Sequence, residues 1–172
     1  SCALAFGKNF QKEKNSMVVY VKSEGRLTDD MILRAGLSMD KDKWFVYKSN
    51  VYESVINLLR ELVHNNDSKR RYMFIIDSMD SLVPKADLEK SPEEANRVAG
   101  GALLSSDFLR KMALSMTSKG HVCYLVSQVR AKVSINPYAK TEARVTNASG
   151  GNALLHYSDW ILEFQERYKA DI

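Results

Sequence analysis

The sequence predicts an α/β fold with a doubly wound, mostly parallel sheet that carries helices on both of its faces. Short apolar runs of strand length alternate with longer segments whose apolar residues recur at helical spacing. Strands that are separated by helices form a mostly parallel sheet covered on both sides. The 172 residues are 45% hydrophobic and 27% charged, with no internal repeat or low-complexity linker. This composition is ordinary for one globular domain, so residues 1–172 are expected to form a single domain.

Each predicted element follows from the local pattern of apolar residues. The helix over residues 51–65 is the clearest, because Val55, Leu58, Leu59 and Leu62 recur at helical spacing. The segment from 130 to 149 is polar, and its part from 132 to 149 lacks apolar periodicity; a loop of that length in a compact domain is usually functional or disordered. The full set of predictions is helices at 2–11, 28–35, 51–65 and 95–118, with strands at 17–24, 44–48, 72–77, 121–128 and 159–164.

Composition excludes several classes of protein. No apolar run is long enough to cross a bilayer, and the first ten residues do not follow the order of a secretory signal, so a cytoplasmic protein without a membrane partner is expected. Cys2 and Cys123 lack metal-ligand spacing, and Cys123 lies in an apolar run, which favours a buried thiol over a disulfide or a nucleophile. The net charge of +4 permits binding to polyanions without requiring it.

Three predicted strands end in polar side chains that can share one site. Glu24, Asp77 and Gln128 each follow an apolar run. The carboxyl ends of parallel strands lie on one edge of the sheet, where open α/β sheets bind their ligands. A general base, a metal-associated carboxylate and an amide would then meet in one crevice, as in a nucleotide phosphatase. For Asp77 with Ser78, ordinary turn chemistry at a strand end is the alternative interpretation.

Three motifs carry a resemblance to a known family. The stretches "FIIDSMDSLVPKADLE", "LVSQVRAKV" and "SGGNALLHYSD" occur in this order along the chain. They resemble successive core motifs of RecA-family recombinases, with phage-type recombinases as one candidate group, and the resemblance extends from about residue 2 to residue 164. It implies the RecA-like P-loop NTPase core, with ATP and Mg²⁺ as cofactors.

The resemblance implies a role for each residue at the predicted sheet edge. Asp77 matches the Walker B carboxylate that acts on Mg²⁺ through water, with Ser78 beside it. Glu24 matches the glutamate that polarises the attacking water, and Gln128 matches the γ-phosphate sensor that joins the nucleotide site to a DNA-binding loop. The family has an aspartate two positions before the glutamate, where this chain has Lys22. A solvated carboxylate at a strand end is the alternative for Glu24.

The phosphate-binding loop of the family, called Walker A, has no counterpart in this sequence. Gly7-Lys8 lies inside a predicted helix and lacks a preceding glycine-rich turn, so it is rejected as a phosphate cradle. Counted back from Glu24, the family's cradle would end at or just before Ser1, which makes the Ser1 hydroxyl a candidate ligand of Mg²⁺. The chain is therefore expected to be a core fragment that lacks the P-loop and the flanking regions.

By the same resemblance, two segments face DNA. The acidic segment 84–101 is assigned by the resemblance alone, whereas 130–149 is basic and suits phosphate contact. Ile135 and Tyr138 are candidates for insertion or stacking between bases, and the two glycines of "GGNAL" free the backbone before Asn152 caps a helix. A merely solvated loop is the alternative. The candidate DNA-binding residues are Arg130, Lys132, Ile135, Tyr138, Lys140, Arg144, Gly150, Gly151 and Asn152.

The leading functional hypothesis is the core of an ATP-dependent DNA recombinase. Such a protein forms a homo-oligomeric filament on single-stranded DNA and exchanges strands with double-stranded DNA, in the cytoplasm of a bacterium or a phage-infected host. The alternatives are another RecA-fold ATPase, of helicase or clock type, and a non-catalytic DNA-binding or filament module. Sequence upstream of Ser1 would separate the last alternative from the enzymes.

Overall fold

A computed structural model describes residues 1–25, 27–89, 100–131, 146–148 and 152–164. A short 3₁₀ turn, Met79–Ser81, follows the third strand. The helices are α1 (Cys2–Phe10), α2 (Asp29–Ala35), α3 (Tyr52–His64), α4 (Lys85–Leu88), α5 (Gly100–Ser118) and α6 (Asn152–Tyr157), and the strands are β1 (Ser16–Lys22), β2 (Trp44–Lys48), β3 (Arg71–Asp77), β4 (Val122–Leu125), β5 (Val129–Ala131) and β6 (Thr146–Ala148).

Four strands form one parallel sheet in the order β2-β1-β3-β4. The register places Lys22 beside Asp77 and Ile76 beside Leu125, so the carboxyl ends of β1, β3 and β4 lie at one edge. Helices α1 and α2 pack on one face of the sheet, and α3 and α5 pack on the other. The predicted α/β fold with helices on both faces is confirmed.

The two central strands are buried on both faces, which explains their almost uninterrupted apolar sequences. Side chains alternate between the faces along each strand. Val18 and Tyr20 of β1 join Leu4 and Ile32 on one face, whereas Val19 and Val21 join the other. The second core also contains Phe74 and Ile76 of β3, with Val55 and Leu59 of α3 and Phe108 and Met112 of α5.

Helix α2 shows how local sequence sets the limits of an element. The Thr28 hydroxyl accepts a hydrogen bond from the Met31 N–H, and two aspartates follow in the first turn, where the helix dipole favours negative charge. The helix ends at Gly36, whose φ of +75° is strained for residues with a side chain. The nearby Lys8 side chain would also lie 3.0 Å from an added Cβ.

The structure corrects two predictions. Residues 159–164 form no strand, and Trp160, Ile161, Leu162 and Phe164 are exposed by 51–88%. The alternating apolar pattern is suited to a strand, but a strand also needs a hydrogen-bonded neighbour, and no described strand pairs with this segment. The polar segment after Gln128 is not wholly loop, because β5 pairs with β6 in an antiparallel ribbon. Strands of three residues are too short to show apolar periodicity.

Other predictions agree with the described structure. Gly7 and Lys8 lie within α1, where a phosphate cradle could not form, as expected. The predicted helix 95–118 is observed from Gly100 onward, and residues 95–99 lie outside the described residues. Burial raises the pKa of the Cys123 thiol to about 12, so the thiolate nucleophile is scarce at neutral pH. Among the described helices, none has the length and apolar character needed to cross a membrane.

Candidate functional site

Two backbone connections bring Glu24 and the end of β4 against the end of β3. The N–H groups of Ser23 and Glu24 both donate to the Asp77 carbonyl, at 3.1 and 3.3 Å. On the other side, Val126 N–H donates to the Ile76 carbonyl at 3.0 Å, and its own carbonyl accepts from Met79 N–H at 3.0 Å. The carboxyl edge of the sheet therefore brings the predicted site residues together.

Glu24 and Ser78 form a direct side-chain contact. The Ser78 hydroxyl donates to Oε1 of Glu24 at 2.6 Å, and Ser78 is only 2% exposed. A short hydrogen bond from a buried hydroxyl restricts the carboxylate to one orientation at the sheet edge. A freely solvated carboxylate, the alternative for Glu24, does not match this geometry.

Asp77 is held by a residue that the sequence analysis did not single out. The Tyr20 hydroxyl donates to Oδ2 of Asp77 from the neighbouring strand. Burial, followed by the hydrogen bond and the charge of Asp77, raises the pKa of the Tyr20 hydroxyl. Tyr20 therefore stays protonated and acts as a donor at ordinary pH. A tyrosine two positions before a strand end, beside a strand that ends in aspartate, is the signal that could have identified this pair.

Serine hydroxyl groups tie the loop after β1 to the turn after β3. Ser23 Oγ donates to the Ser78 carbonyl at 2.9 Å. Ser81 Oγ lies 2.8 Å from the same carbonyl and 2.7 Å from Ser23 Oγ. The two bonds of Ser23 connect residues 55 and 58 positions apart in sequence, so the sequence pattern contains no signal for them. They fix the backbone that carries Glu24 and Asp77.

Gln128 is positioned through its main chain. Its N–H donates to Oδ2 of Asp80 at 2.7 Å, and its side chain belongs to an exposed residue. Asp80 lies in the 3₁₀ turn directly after Asp77 and Ser78. The ribbon strand β5 starts at the next residue, Val129. The turn beside Asp77 is thus connected by one hydrogen bond to the base of the basic segment.

Lys22 departs from the family pattern and has a structural role. It is the register neighbour of Asp77, and its Nζ donates to the Leu27 carbonyl at 2.7 Å. The ammonium group thereby anchors the loop that follows Glu24. The chain has a cation in place of the family's second carboxylate, so the carboxylates described at this edge are Asp77, Glu24 and Asp80.

The oxygen groups of this edge fit Mg²⁺. Magnesium prefers oxygen ligands, keeps several waters and is usually held by one or two carboxylates with substrate phosphates. Within the described residues, no three His, Cys, Asp or Glu side chains group as a complete metal cage. The only described hydrogen bond to the Asp77 carboxylate occupies Oδ2, so Oδ1 faces no such donor. Asp77 would hold Mg²⁺ through water. This mode of binding needs only one carboxylate and no complete cage of protein ligands.

The remaining predicted site residues form no described hydrogen bond with Asp77 or Glu24, or they lie outside the described residues. Ser1 caps α1, where its hydroxyl oxygen accepts from Leu4 N–H at 3.4 Å, and no described hydrogen bond joins it to Asp77. Arg130 lies in β5 opposite Asn147, with only its backbone described. Asn152 is the first residue of α6, so the helix predicted after the glycines is present, but no described hydrogen bond shows Asn152 capping it. Lys132, Ile135, Tyr138, Lys140, Arg144, Gly150 and Gly151 lie outside the described residues.

Comparison with known proteins reveals the family. A family model described as the RecA N-terminal domain matches residues 2–170. Protein RecA of Petrotoga mobilis is 29% identical over 144 residues, covering 84% of this chain and 36% of the relative. Protein RecA of Nautilia profundicola is 26% identical over 156 residues, covering 91% and 41%.

A third relative gives the same result over a shorter alignment. Protein RecA of Rippkaea orientalis is 30% identical over 129 residues, which cover 75% of this chain and 34% of the relative. The chain thus spans roughly two fifths or less of the length of these curated relatives. The match of the family model extends over nearly all 172 residues and includes the whole carboxyl edge of the sheet. The chain belongs to the RecA family, through the N-terminal domain of that family.

Proposed function

We propose that this chain is the core of an ATP-dependent DNA recombinase, which assembles as a filament on single-stranded DNA and exchanges strands with a homologous duplex. The observation that carries the proposal is the carboxyl edge of the sheet. There the Ser78 hydroxyl orients Glu24 and the Tyr20 hydroxyl orients Asp77, and the two carboxylates follow adjacent strands. Membership of the RecA family supports recombination as the process that this site serves.

In this proposal the residues divide the work of phosphoryl transfer. Bound Mg²⁺ would supply positive charge that offsets the charge of the ATP phosphates. Asp77 would hold Mg²⁺ through water, and Ser78 holds Glu24 so that its carboxylate could orient the attacking water. Ser1 is a second proposed Mg²⁺ ligand. Positioning and charge do most of the catalysis in such reactions, which is why fixed carboxylates matter here.

Gln128 is proposed to transmit the state of the nucleotide to DNA. Its amide side chain can donate to a γ-phosphate oxygen, and its backbone directly precedes the first strand of the β5–β6 ribbon. The basic residues proposed to contact DNA phosphates are Arg130 in β5 and Lys132, Lys140 and Arg144 in the sequence between the two ribbon strands. Loss of the γ-phosphate would remove a partner of Gln128 and thereby change the position of the ribbon.

Hydrolysis assays on the full-length protein test the enzymatic part. Single-stranded DNA should stimulate Mg²⁺-dependent ATP hydrolysis, and a strand-exchange assay with homologous duplex should yield joint molecules. Stimulation without strand exchange would favour another RecA-fold ATPase. The absence of both hydrolysis and nucleotide binding would favour a non-catalytic DNA-binding module and would contradict the proposal.

Charge removal tests the DNA-binding segment. We expect the triple variant Arg130→Ala, Lys132→Ala, Arg144→Ala to bind single strands more weakly. The log-log salt slope should flatten by about 2, because each lost phosphate contact removes about 0.7. Affinity is measured over a salt series by fluorescence anisotropy.

A control of equal charge change keeps this test specific. Lys12, Lys14 and Lys41 are exposed and lie outside the proposed interface. Their replacement by alanine should leave the slope close to that of the parent. An equal effect in both triple variants would show that net charge alone explains DNA binding and that the basic segment is merely solvated.

A further inference from the structure

Tyr20 is buried in a position where a phenylalanine would fill the same space. It lies on the α1 face of β1, is 3% exposed and has its ring 5.8 Å from that of Trp44. Its register neighbour on β3 is Ile75, two residues before the strand end. The ring therefore packs in the core, whereas the hydroxyl lies at the carboxyl edge of the sheet and donates to the Asp77 carboxylate.

The chemistry of the contact leaves Asp77 able to act on a ligand. A tyrosine hydroxyl has one proton, and here that proton is donated to Oδ2. The bond restricts rotation of the carboxylate but leaves its negative charge in place, because a hydroxyl donor is neutral. Within the described structure, Asp77 also forms no ion pair with a lysine or arginine. A carboxylate that is fixed by a hydrogen bond and has no described cation in contact with it is suited to hold Mg²⁺ through water.

A second buried tyrosine gives a contrast within the same molecule. The Tyr52 hydroxyl donates to Oδ2 of Asp107 at 2.8 Å, and Tyr52 is 5% exposed. There, however, Lys111 and Arg110 also contact the carboxylate, at 2.7 and 3.2 Å. That pair joins α3 to α5, and the two cations of α5 neutralise the charge of Asp107. The chemical pairing of tyrosine with aspartate is thus shared, but only the pair at the sheet edge lacks described cations.

We propose that Tyr20 is a positioning residue for Asp77, which holds that carboxylate in the orientation required by the metal-bound water of a Mg–nucleotide complex. This inference rests on the proposed function of the sheet edge. Tyr20 touches neither metal nor nucleotide and acts through Asp77 alone. Groups that orient a metal site from outside it commonly change metal affinity when they are removed.

The test uses Tyr20→Phe in the full-length protein, with Tyr52→Phe as the matched control. Nucleotide binding is followed by the fluorescence of a labelled ATP analogue while Mg²⁺ is titrated, and thermal unfolding is measured in parallel. Tyr20→Phe should raise the Mg²⁺ midpoint by about 10-fold, the scale of lost outer contacts at metal sites. Nucleotide affinity at saturating Mg²⁺ should be retained. Tyr52→Phe should lower thermal stability and leave the Mg²⁺ midpoint unchanged.

A double-mutant cycle separates positioning from a general structural effect. If Tyr20 acts through Asp77, then adding Tyr20→Phe to Asp77→Asn should cause no further change in the Mg²⁺ midpoint. An unchanged midpoint in Tyr20→Phe, an equal shift in Tyr52→Phe, or additive effects with Asp77→Asn would each overturn the inference while leaving the proposed function intact. Binding of nucleotide by the parent without any dependence on Mg²⁺ would contradict both.

Discussion

The two buried tyrosine–aspartate pairs of this protein have the same chemistry and different surroundings. Tyr52 and Asp107 bind each other between two helices, and cations on α5 complete the pair. Tyr20 and Asp77 bind each other across two strands at the carboxyl edge of the sheet. The comparison teaches that the same hydrogen bond occurs at a carboxylate with cations beside it and at one without. Among the described residues, the two pairs differ in the charge around the carboxylate.

The largest effect is expected for Asp77→Asn in the full-length protein. Asparagine keeps the size of the side chain but removes the charge that would hold Mg²⁺ through water under the proposed function. Mg²⁺-dependent ATP hydrolysis should therefore fall by at least about 100-fold, as when several kcal/mol of metal-ion catalysis are lost. Steady-state hydrolysis over a Mg²⁺ series measures the change.

The same substitution at the other pair is the control for Asp77→Asn. Asp107→Asn should lower the free energy of unfolding by about 1 kcal/mol, the scale of a partly exposed ion pair, and should leave hydrolysis unaffected. Its partners Arg110 and Lys111 remain accessible to solvent on α5. Equal losses of hydrolysis in the two variants would mean that both aspartates act through stability, and the comparison would fail.

A smaller but specific effect is expected for Glu24→Gln. Ser78 can still donate to the amide oxygen, so the loop should keep its place and ATP should bind as in the parent. The turnover number should fall by about 100-fold, because a positioned general base contributes roughly 100- to 10,000-fold. Single-turnover hydrolysis with separate measurement of nucleotide binding makes the distinction. Hydrolysis at the parental rate would require another residue as the base.

The smallest effect concerns the stability of the Asp107 pair in acid. The hydrogen bond from Lys111, opposed by burial and assisted by Tyr52 and Arg110, lowers the pKa of Asp107 below 3.8. Because the folded pKa is depressed, the ionised pair stabilises the fold above the unfolded value. That stability is lost as pH falls from 3.8 through the folded pKa.

Urea unfolding between pH 5 and pH 3 tests this acid dependence. Asp107→Asn should unfold at lower urea than the parent at pH 5, by a few tenths to about 1 kcal/mol, and the difference should shrink as the pH is lowered. Asp30→Asn is the matched control, since it removes a carboxylate from an exposed ion pair with Arg34. A difference for Asp107→Asn that stays constant with pH would contradict the assigned pKa direction.

Much of the fold was predictable because its strands and helices show in the local pattern of apolar residues. Strands β1 and β3 are nearly continuous apolar runs, as buried parallel strands require, and α3 shows a clear apolar stripe. The convergence of Glu24, Asp77 and Gln128 on one edge was also predictable, because parallel strands align their carboxyl ends. The strand predicted at 159–164 was wrong, since a suitable sequence does not supply a pairing partner.

The sequence by itself determined the α/β order of elements, the apolar faces and the candidate carboxylates of the sheet edge. Only the tertiary structure decided that Tyr20 reaches Asp77 and that Ser78 holds Glu24. It also decided that Asp80 anchors the backbone of Gln128. The physical reason is sequence distance. These hydrogen bonds join residues 48–57 positions apart, and hydrogen-bond geometry depends on strand register and on distances of a few tenths of an ångström, neither of which periodicity encodes.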